Sequence, residues 1–270
     1  MKTIKLGLIG CGAIGSTLLK YAREKLSMHI TRMIIFDCDE NKSKVLADKN
    51  RQVVIADSME KVFDAADLII EAASPKIVPE FFEEALSKTK DIMIMSIGGL
   101  LGREASLGKA EEKGIKVILP SGAIAGIDGL KAAKVAGLEE VTITTSKPPG
   151  SIKGAPYLEE KGINVDEISE KTVIFEGSAF EAVKGFPKNI NVSALLSIAG
   201  IGAEKTKVRI VVSPEYTRNT HEIKIKSKAG TITVRTENVP FPDNPKTSYL
   251  AALAAITSLE SYFSSLRLGT

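Results

Sequence analysis

A glycine-rich segment near the amino terminus carries the clearest chemical signal in this sequence. It comprises Gly10, Cys11, Gly12, Ala13, Ile14 and Gly15. In a dinucleotide-binding loop with this spacing, the first glycine makes a tight turn, the second admits the pyrophosphate, and the third lets the helix pack closely. Free N–H groups at the helix N-terminus then bind the phosphates. We therefore expect all six residues to contribute to a dinucleotide site; a merely tight strand-to-helix turn is the alternative.

Asp37 is the second part of that expected site. It follows the apolar run 33–36 and lies 22 residues beyond Gly15 (37 − 15), near the expected spacing of about 20. A carboxylate there hydrogen-bonds the adenosine ribose and repels a 2′-phosphate. The sequence therefore predicts NAD as the cofactor. NADP is the alternative, because Lys42 and Lys44 begin the next helix and could reach the same place.

Small residues end the fourth predicted strand and continue beyond it. Ala72, Ala73 and Ser74 come after the apolar run 68–70. Because no bulky side chain intervenes, the backbone there could lie against a nicotinamide ribose. We expect these three residues to contact the cofactor, with an ordinary short turn as the alternative.

The sequence contains two histidines, His29 and His221. His221 lies in the polar segment 218–222, which enters a strand of alternating character. Dehydrogenase chemistry needs a proton carrier near neutral pH, and histidine is the usual choice. His221 is therefore the candidate acid/base, and a purely structural histidine is the alternative. His29 precedes the second strand, far from any strand C-terminus, and is expected to be structural or solvated.

The scaffold for these residues is predicted from strands that alternate with helices over the first 120 residues. The apolar strands are expected at 5–9, 33–37, 53–56, 66–72, 92–95 and 116–119. This alternation predicts an α/β fold with an N-terminal Rossmann domain, residues 1–120, built on a doubly wound parallel sheet. The strand C-termini and any ligand should lie along one edge.

The pattern changes after Pro120. Residues 208–212, 223–225 and 232–234 alternate apolar and polar positions, which predicts an antiparallel sheet with one buried face. We expect a second α+β domain, 121–245, with a largely antiparallel sheet and the substrate and catalytic groups. The C-terminal segment 246–270 is expected to form a helix that packs back on the Rossmann domain.

Composition and charge exclude several function classes. The chain has 36 basic and 33 acidic residues, a net charge of +3, so no nucleic-acid partner is expected. Apolar stretches end well before the roughly 18 residues of a membrane span, and no signal peptide precedes the glycines, so we expect a cytoplasmic protein. Cys11 and Cys38 are too few for a disulfide or zinc framework, and no metal site is expected.

Two further segments carry a family resemblance. Residues 121–129 read Ser-Gly-Ala-Ile-Ala-Gly-Ile-Asp-Gly, and residues 186–191 read Phe-Pro-Lys-Asn-Ile-Asn. With the glycine fingerprint and His221, they make the chain resemble the L-aspartate dehydrogenase family over essentially its whole length. The fingerprint is common to many families, whereas these two segments are much more specific.

The resemblance implies NAD(P)-dependent oxidation of L-aspartate to iminoaspartate, which yields oxaloacetate and ammonia on hydrolysis and feeds de novo NAD biosynthesis. It implies that the family's NAD-contacting alanine and asparagine are Ala125 and Asn191, and that its active-site histidine is His221. Ala123 and Asn189 remain alternatives, because each segment holds two candidates. A homodimer is also implied.

The substrate carboxylates need cationic or N–H partners. The available cations are Lys147, Lys188, Arg209, Arg218 and Arg235. We favour Lys188 and Arg218, because they flank the segments that carry the resemblance.

Two rival interpretations remain at this point. A related amino-acid-pathway reductase, of the dihydrodipicolinate reductase or homoserine dehydrogenase type, would share the glycine loop but not the second-domain segments. A non-catalytic NAD(H)-sensing protein would share the loop too. Such a protein usually carries a DNA-binding or partner-binding appendage, which this sequence does not display.

Overall fold

The computed structural model describes residues 3–48, 52–187, 190–242 and 244–269. Their contacts divide the chain into two compact units. The first unit comprises Met1–Pro120 and Ala252–Leu266, and the second comprises Ser121–Ala251 and Arg267–Thr270. The assignment of cofactor and substrate to separate domains stays a prediction. Within the described ranges, no helix has both the length and the apolar character needed to cross a bilayer.

The first unit is built on six strands. These are β1 (Ile4–Ile9), β2 (Ile30–Phe36), β3 (Val53–Ile55), β4 (Leu68–Glu71), β5 (Asp91–Ile94) and β6 (Val117–Ile118). They pair in parallel in the order β3-β2-β1-β4-β5-β6. Every residue of β4 is buried, as expected for a strand covered on both faces. This is the doubly wound order of the Rossmann fold, and the predicted fold class is confirmed.

The helices of the first unit begin and end where the local sequence favours it. They are α1 (Ala13–Lys25), α2 (Glu40–Asp48), α3 (Met59–Ala65), α4 (Val78–Lys88) and α5 (Glu104–Glu112), with a 3₁₀ turn at Ile97–Leu100. Ser58 caps α3 by accepting the Lys61 N–H at 3.2 Å. Pro79 stands in the first turn of α4, where its missing N–H costs nothing.

The second unit contains a five-stranded sheet with short helices. Its strands are β7 (Leu138–Lys147), β8 (Thr172–Ser178), β9 (Lys207–Val212), β10 (Asn219–Ser227) and β11 (Gly230–Asn238), followed by the small pair β12 (Pro240–Phe241) and β13 (Asn244–Ser248). Its helices are α6 (Ile127–Ala136), α7 (Pro156–Lys161), α8 (Ala179–Gly185) and α9 (Asn191–Ala199), with 3₁₀ turns at Pro149–Ile152 and Val165–Glu167.

The five strands are ordered β11-β10-β7-β9-β8. β10 runs antiparallel to β11 and β7, and β8 runs antiparallel to β9, so the predicted largely antiparallel sheet is confirmed. One pair departs from the antiparallel arrangement, because β9 pairs with β7 in parallel. The chain between these two strands contains β8 and several helices, long enough for the crossover that a parallel pair requires.

Side-chain alternation gives this sheet two unlike faces. The buried positions, which define the inner face, are Val141, Ile143, Thr145 and Lys147 in β7 and His221, Ile223, Ile225 and Ser227 in β10. α6 lies against β7 and β10. The intervening side chains of β10, including Glu222 and Lys224, are exposed and belong to the outer face.

The C-terminal helix α10 spans Tyr249–Phe263. From Ala252 onward it belongs to the first unit. Ala255, Ile256 and Leu259 join the apolar cluster that contains the buried residues of β1. The Tyr262 hydroxyl donates a hydrogen bond to Asp91 Oδ2 at 2.7 Å, so this end of the helix is fixed to the start of β5.

Candidate functional site

The three glycines after β1 have different surroundings. Gly10 has a φ of +100°, and a Cβ there would lie 2.6 Å from the Ala72 carbonyl carbon. A Cβ on Gly15 would lie 2.0 Å from the Gly10 carbonyl oxygen, whereas one on Gly12 would meet no heavy atom within 4 Å. The loop is therefore tightly packed at Gly10 and Gly15, where the strand meets the helix, and has free space beside Gly12. This arrangement fits a dinucleotide whose pyrophosphate approaches the backbone at the start of α1.

Asp37 lies against this glycine loop. Its Oδ2 accepts the backbone N–H of Cys11 at 2.7 Å, and its Oδ1 accepts that of Asp39 at 2.9 Å. The side chain directly follows β2, the neighbour of β1 in the sheet. The carboxylate thus occupies the position at which an acidic residue can bind an adenosine ribose.

The backbone N–H of Cys11, rather than its thiol, contacts Asp37. The side chain is buried, and Sγ lies 3.7 Å from Ser43 Oγ. Burial raises the pKa of this thiol to about 11, so it stays protonated at neutral pH and is a poor nucleophile. Ala13 and Ile14 form the first turn of α1, at the open end of the loop.

A buried carboxylate joins two loops at the ends of β4 and β5. Glu71 is fully buried, and its Oε1 accepts the Ala73 N–H at 2.8 Å and the Ser96 hydroxyl at 2.9 Å. Its Oε2 accepts the Ser96 N–H at 2.9 Å. Burial raises the pKa of Glu71, against the opposing effect of these hydrogen bonds. Glu71 therefore fixes the segment 72–74, whose first residue also abuts Gly10.

Sequence reasoning missed the role of Glu71. The available signal was an acidic residue at the end of the apolar run Leu68-Ile69-Ile70. A carboxylate that continues a buried strand needs hydrogen-bond donors, and the loops after β4 and β5 are the nearest supply.

His221 lies on the inner face of the second unit's sheet, directly opposite Thr145. Its Nδ1 is 3.0 Å from Thr145 Oγ1, and the tautomer decides which of the two donates. The ring is 4 % exposed. Burial, with the nearby charge of Lys147, lowers the pKa of His221 to about 3. The imidazole is therefore neutral at neutral pH and is held in one orientation.

The segment 121–126 is fixed beside the row of residues that contains His221. The Ala123 carbonyl accepts hydrogen bonds from Thr236 Oγ1 and Asn238 Nδ2, both at 3.0 Å. Thr236 is the partner of His221 across the β10–β11 pair. Ala123 is buried, whereas Ala125 is exposed and can be reached by a ligand.

Asn191 is the first residue of α9. A Cβ on Gly122 would lie 3.9 Å from Val192 Cγ1, so the segment 121–126 also approaches the start of this helix. The alternative candidate Asn189 and the predicted substrate cation Lys188 lie outside the described residues.

The other predicted substrate cation, Arg218, is not placed with His221. It lines a concavity of about 750 Å³ together with Thr220, Glu222 and Arg235. Because side chains alternate along β10, Thr220 and Glu222 point to the outer face and His221 to the inner face. The structure therefore separates Arg218 from the histidine across the thickness of the sheet.

Among the residues that the structure describes, Lys147 is a cation on the inner face. It is the last residue of β7 and is 6 % exposed, and burial lowers its pKa to about 8. The signal in the sequence was the two-residue period that starts at Val141, which continues through Thr145 to Lys147.

The second histidine, His29, lies in a different unit from His221. It stacks on Phe263 in the first unit, with ring centroids 4.7 Å apart. In the described ranges, no group of three or more His, Cys, Asp or Glu is arranged to hold a metal ion.

Comparisons with known proteins match both parts of the chain. A family model described as "Aspartate dehydrogenase, C-terminal" matches residues 128–262. A second model, described as "Homoserine dehydrogenase, NAD binding domain", matches residues 10–120. The glycine loop is thus shared with the homoserine dehydrogenase interpretation, whereas the second half of the chain distinguishes the two.

Relatives that match over their full length belong to the same family as the model that matches residues 128–262. The L-aspartate dehydrogenase of Methanococcoides burtonii is 44 % identical over 272 residues, which cover 99 % of this chain and 100 % of that protein. The L-aspartate dehydrogenase of Nitrosopumilus maritimus is 43 % identical, with 98 % and 99 % covered. The crystal structure of aspartate dehydrogenase from Thermotoga maritima matches with a TM-score of 0.77 and 28 % identity, over 98 % of this chain and 99 % of that one.

Proposed function

Because the chain belongs to the L-aspartate dehydrogenase family, we propose that it oxidises L-aspartate to iminoaspartate with NAD⁺ as hydride acceptor. The observation that carries this proposal is the pair of His221 and Thr145 on the inner face of the second unit, beside the fixed segment 121–126. A neutral, oriented imidazole is the group that oxidation of an amine requires for proton transfer.

The first unit supplies the main cofactor site in this proposal. Its residues are Gly10, Cys11, Gly12, Ala13, Ile14, Gly15, Asp37, Ala72, Ala73 and Ser74. The bound dinucleotide contributes the acceptor for the hydride that leaves Cα of L-aspartate. The chain contributes N–H groups for the pyrophosphate, a carboxylate for the ribose, and a loop that Glu71 holds in place.

Asp37 is proposed to set a preference for NAD over NADP, because a 2′-phosphate would approach its carboxylate. The two lysines that could offset this repulsion have acidic partners of their own. Lys42 lies 3.7 Å from Asp39, and Lys44 lies 2.8 Å from Glu40. Dissociation constants of NADH and NADPH, measured at fixed ionic strength, test the preference. NADH should bind more tightly than NADPH, and Asp37→Ser should reduce the difference between the two dissociation constants. Tighter binding of NADPH than of NADH by the wild type would contradict the assignment of Asp37 to the ribose.

Two residues of the second unit are proposed as further cofactor contacts. Ala125 is exposed in the segment 121–126, and Asn191 begins α9. The exposure of Ala125 favours it over the buried Ala123, whose carbonyl already has two donors. Enlarging the side chain, as in Ala125→Leu, should weaken NADH binding. Equal binding by this variant and the wild type would remove Ala125 from the cofactor site.

His221 is proposed to move the proton. The α-ammonium of L-aspartate must lose a proton so that its lone pair can form the C=N bond as hydride leaves Cα. His221 can accept this proton on the ring nitrogen that does not face Thr145, and it can later activate the water that hydrolyses the imine. His221→Ala should lower kcat about 10²- to 10⁴-fold with little change in NADH affinity. His29→Ala, which removes the other histidine, is the matched control and should keep its kcat.

The predicted substrate cations keep the status of proposals. Lys188→Ala should raise KM for L-aspartate more than it changes cofactor binding. Arg218→Ala is the more demanding test, because Arg218 lines the outer-face concavity whereas His221 lies on the inner face. A raised KM in this variant would support Arg218 as a carboxylate partner despite that separation. An unchanged KM in both variants would mean that the carboxylate partners lie elsewhere.

The reverse reaction separates this function from the related reductases. With NADH, oxaloacetate and ammonium, the enzyme should oxidise NADH and form L-aspartate. No comparable oxidation is expected with aspartate semialdehyde or dihydrodipicolinate. If one of those substrates were preferred, the proposed function would be wrong.

We propose a homodimer, for which the family resemblance is the support. Light scattering in solution should then give twice the mass of the chain. A mass equal to one chain at working enzyme concentrations would contradict the dimer without affecting the proposed reaction.

A further inference from the structure

The inner face of the second unit's sheet changes from apolar to polar towards one end of β7. Val141 and Ile143 are fully buried apolar residues of this strand. The next two inward positions are Thr145 and Lys147, which are also buried. Thr145 contacts the imidazole of His221, so the polar end of the face is the end that holds the candidate acid/base.

Lys147 has an unusual position for a lysine. Its side chain is almost completely buried, and removing an ammonium group from water is costly. A Met or Leu at the end of β7 would fill the same space without that cost. Ionisable groups with perturbed environments cluster at functional sites, and Lys147 shares its face with His221.

Lys147 lies two positions beyond Thr145 on the same face of the sheet, and Thr145 contacts His221. The positive charge of Lys147 is one of the two causes that lower the pKa of His221, and burial is the other. His221 on β10 is thus the titratable group on which the ammonium acts. On the outer face, Arg209, Arg218 and Arg235 surround a different concavity.

We propose that Lys147 binds a carboxylate of L-aspartate beside His221. This assignment rests on the proposed function, which supplies a dicarboxylate as the substrate. A buried ammonium and a carboxylate form a charge-assisted hydrogen bond in a region from which water is excluded, and such bonds are among the strongest in proteins. Lys147 is then a positively charged substrate residue on the inner face.

The same contact prepares His221 for proton transfer. A carboxylate beside Lys147 neutralises the charge that opposes protonation of the imidazole. One of the two causes of the low pKa of His221 is thereby removed when substrate is present. The histidine becomes a better proton acceptor in the complex than in the free enzyme.

Steady-state kinetics of Lys147→Met, Lys147→Arg and Lys224→Met test the binding role. Methionine keeps the length of the side chain without its charge, and Lys224 is the matched control, since it is exposed on the outer face. Lys147→Met should raise KM for L-aspartate, and the Kd of the inert dicarboxylate succinate, roughly 10- to 100-fold. The Kd of NADH should stay unchanged, and Lys224→Met should match the wild type. A Lys147→Met enzyme with wild-type KM but low kcat would assign Lys147 to proton transfer and overturn the proposal.

Calorimetry gives a readout that a merely structural lysine would not change. The pKa of Lys147 is about 8, so at about pH 9 most of the free protein has lost this proton. Succinate should restore the proton, and the titration measured in buffers of different ionisation enthalpy should show proton uptake. The uptake should be small near pH 7 and should be missing in Lys147→Arg, which stays charged, and in Lys147→Met. Absence of proton uptake by the wild type at about pH 9, or uptake of the same size in Lys147→Met, would contradict the proposal.

The two proposals can fail separately. A wild-type enzyme without activity on L-aspartate that still binds succinate with the expected proton uptake would contradict the proposed function alone. An active wild type together with a Lys147→Met variant of unchanged KM, and unchanged succinate affinity, would contradict only the assignment of Lys147. Thermal unfolding of each variant checks that the protein is folded. Methionine should fold well, because it buries no charge.

Discussion

The open space beside Gly12 allows the cofactor assignment to be tested without disturbing the fold. Gly12 has φ −74° and ψ −166°, which alanine adopts readily, and its added Cβ would meet no heavy atom within 4 Å. As the N-cap of α1, alanine is less favourable than glycine by up to about 1 kcal/mol. Alanine also lowers the conformational entropy of the unfolded chain relative to glycine, which offsets this loss by about 0.4–1 kcal/mol. The free energy of unfolding of Gly12→Ala should therefore stay within about 1 kcal/mol of the wild-type value.

Cofactor binding by the same variant should change much more. The new methyl group would occupy the space through which the pyrophosphate reaches the N–H groups of α1. Loss of one hydrogen bond to a charged group costs about 1.5–3 kcal/mol, which corresponds to a roughly 10- to 150-fold increase in Kd. Fluorescence titration with NADH measures this change, and urea denaturation measures the stability of the same sample.

Gly15→Ala is the control with the opposite expectation. Its Cβ would lie 2.0 Å from the Gly10 carbonyl oxygen, and backbone must move to relieve that contact. Overpacking of this kind costs about 1–3 kcal/mol or more, so this variant should lose stability. Wild-type NADH affinity in Gly12→Ala would refute the placement of the pyrophosphate. Wild-type stability in Gly15→Ala would refute the close packing of α1 against the glycine loop.

Two further predictions concern buried ionisable groups. The pKa of His221 is about 3 in the folded protein against an ordinary value of 6.5, so the unfolded chain takes up the proton first as the pH falls, and stability decreases between these two values. Between neutral pH and about pH 4, the wild type should therefore lose about 3 kcal/mol more free energy of unfolding than His221→Asn, as measured by urea denaturation. If the free energies of the two proteins fell in parallel with pH, this prediction would be wrong. Glu71→Gln should lose about 1–3 kcal/mol of stability and bind NADH more weakly, because the amide NH₂ cannot accept the N–H and O–H donors of Ala73 and Ser96. Wild-type unfolding and NADH affinity in Glu71→Gln would show that the carboxylate does not hold these loops.

The first unit could be predicted largely from sequence because its signals are local. The glycine spacing, the first two buried strands and Asp37 all lie within 37 residues, and each depends on short-range geometry. The repeated strand–helix alternation then restricts the sheet to a parallel, doubly wound arrangement.

The second unit was harder to predict because its contacts are distant in sequence. His221 and Thr145 are 76 residues apart, and only the register of β10 against β7 brings them together. Alternation along β10 predicts which side chains share a face, but it does not determine which strand lies beside it. For the same reason the parallel pairing of β9 with β7 could not be read from the pattern of β9 alone.

Two local patterns give opposite predictions for Lys147. The Pro-rich sequence that follows it predicts a loop, and a lysine beside a loop is usually solvated. The two-residue period from Val141 indicated the opposite, namely an inward side chain. Extending that period by one more position would have predicted the buried lysine.

Steady-state NADH formation by the wild-type enzyme tests the central claim most directly. The substrates to compare are L-aspartate, D-aspartate, L-asparagine, L-glutamate and L-homoserine, each with saturating NAD⁺, with His221→Ala as the inactive reference. L-Aspartate should give the highest kcat/KM, at least about 100-fold above L-asparagine, because the amide cannot replace a charged carboxylate. A higher kcat/KM for any of the other amino acids, or the same rate in His221→Ala, would contradict the account.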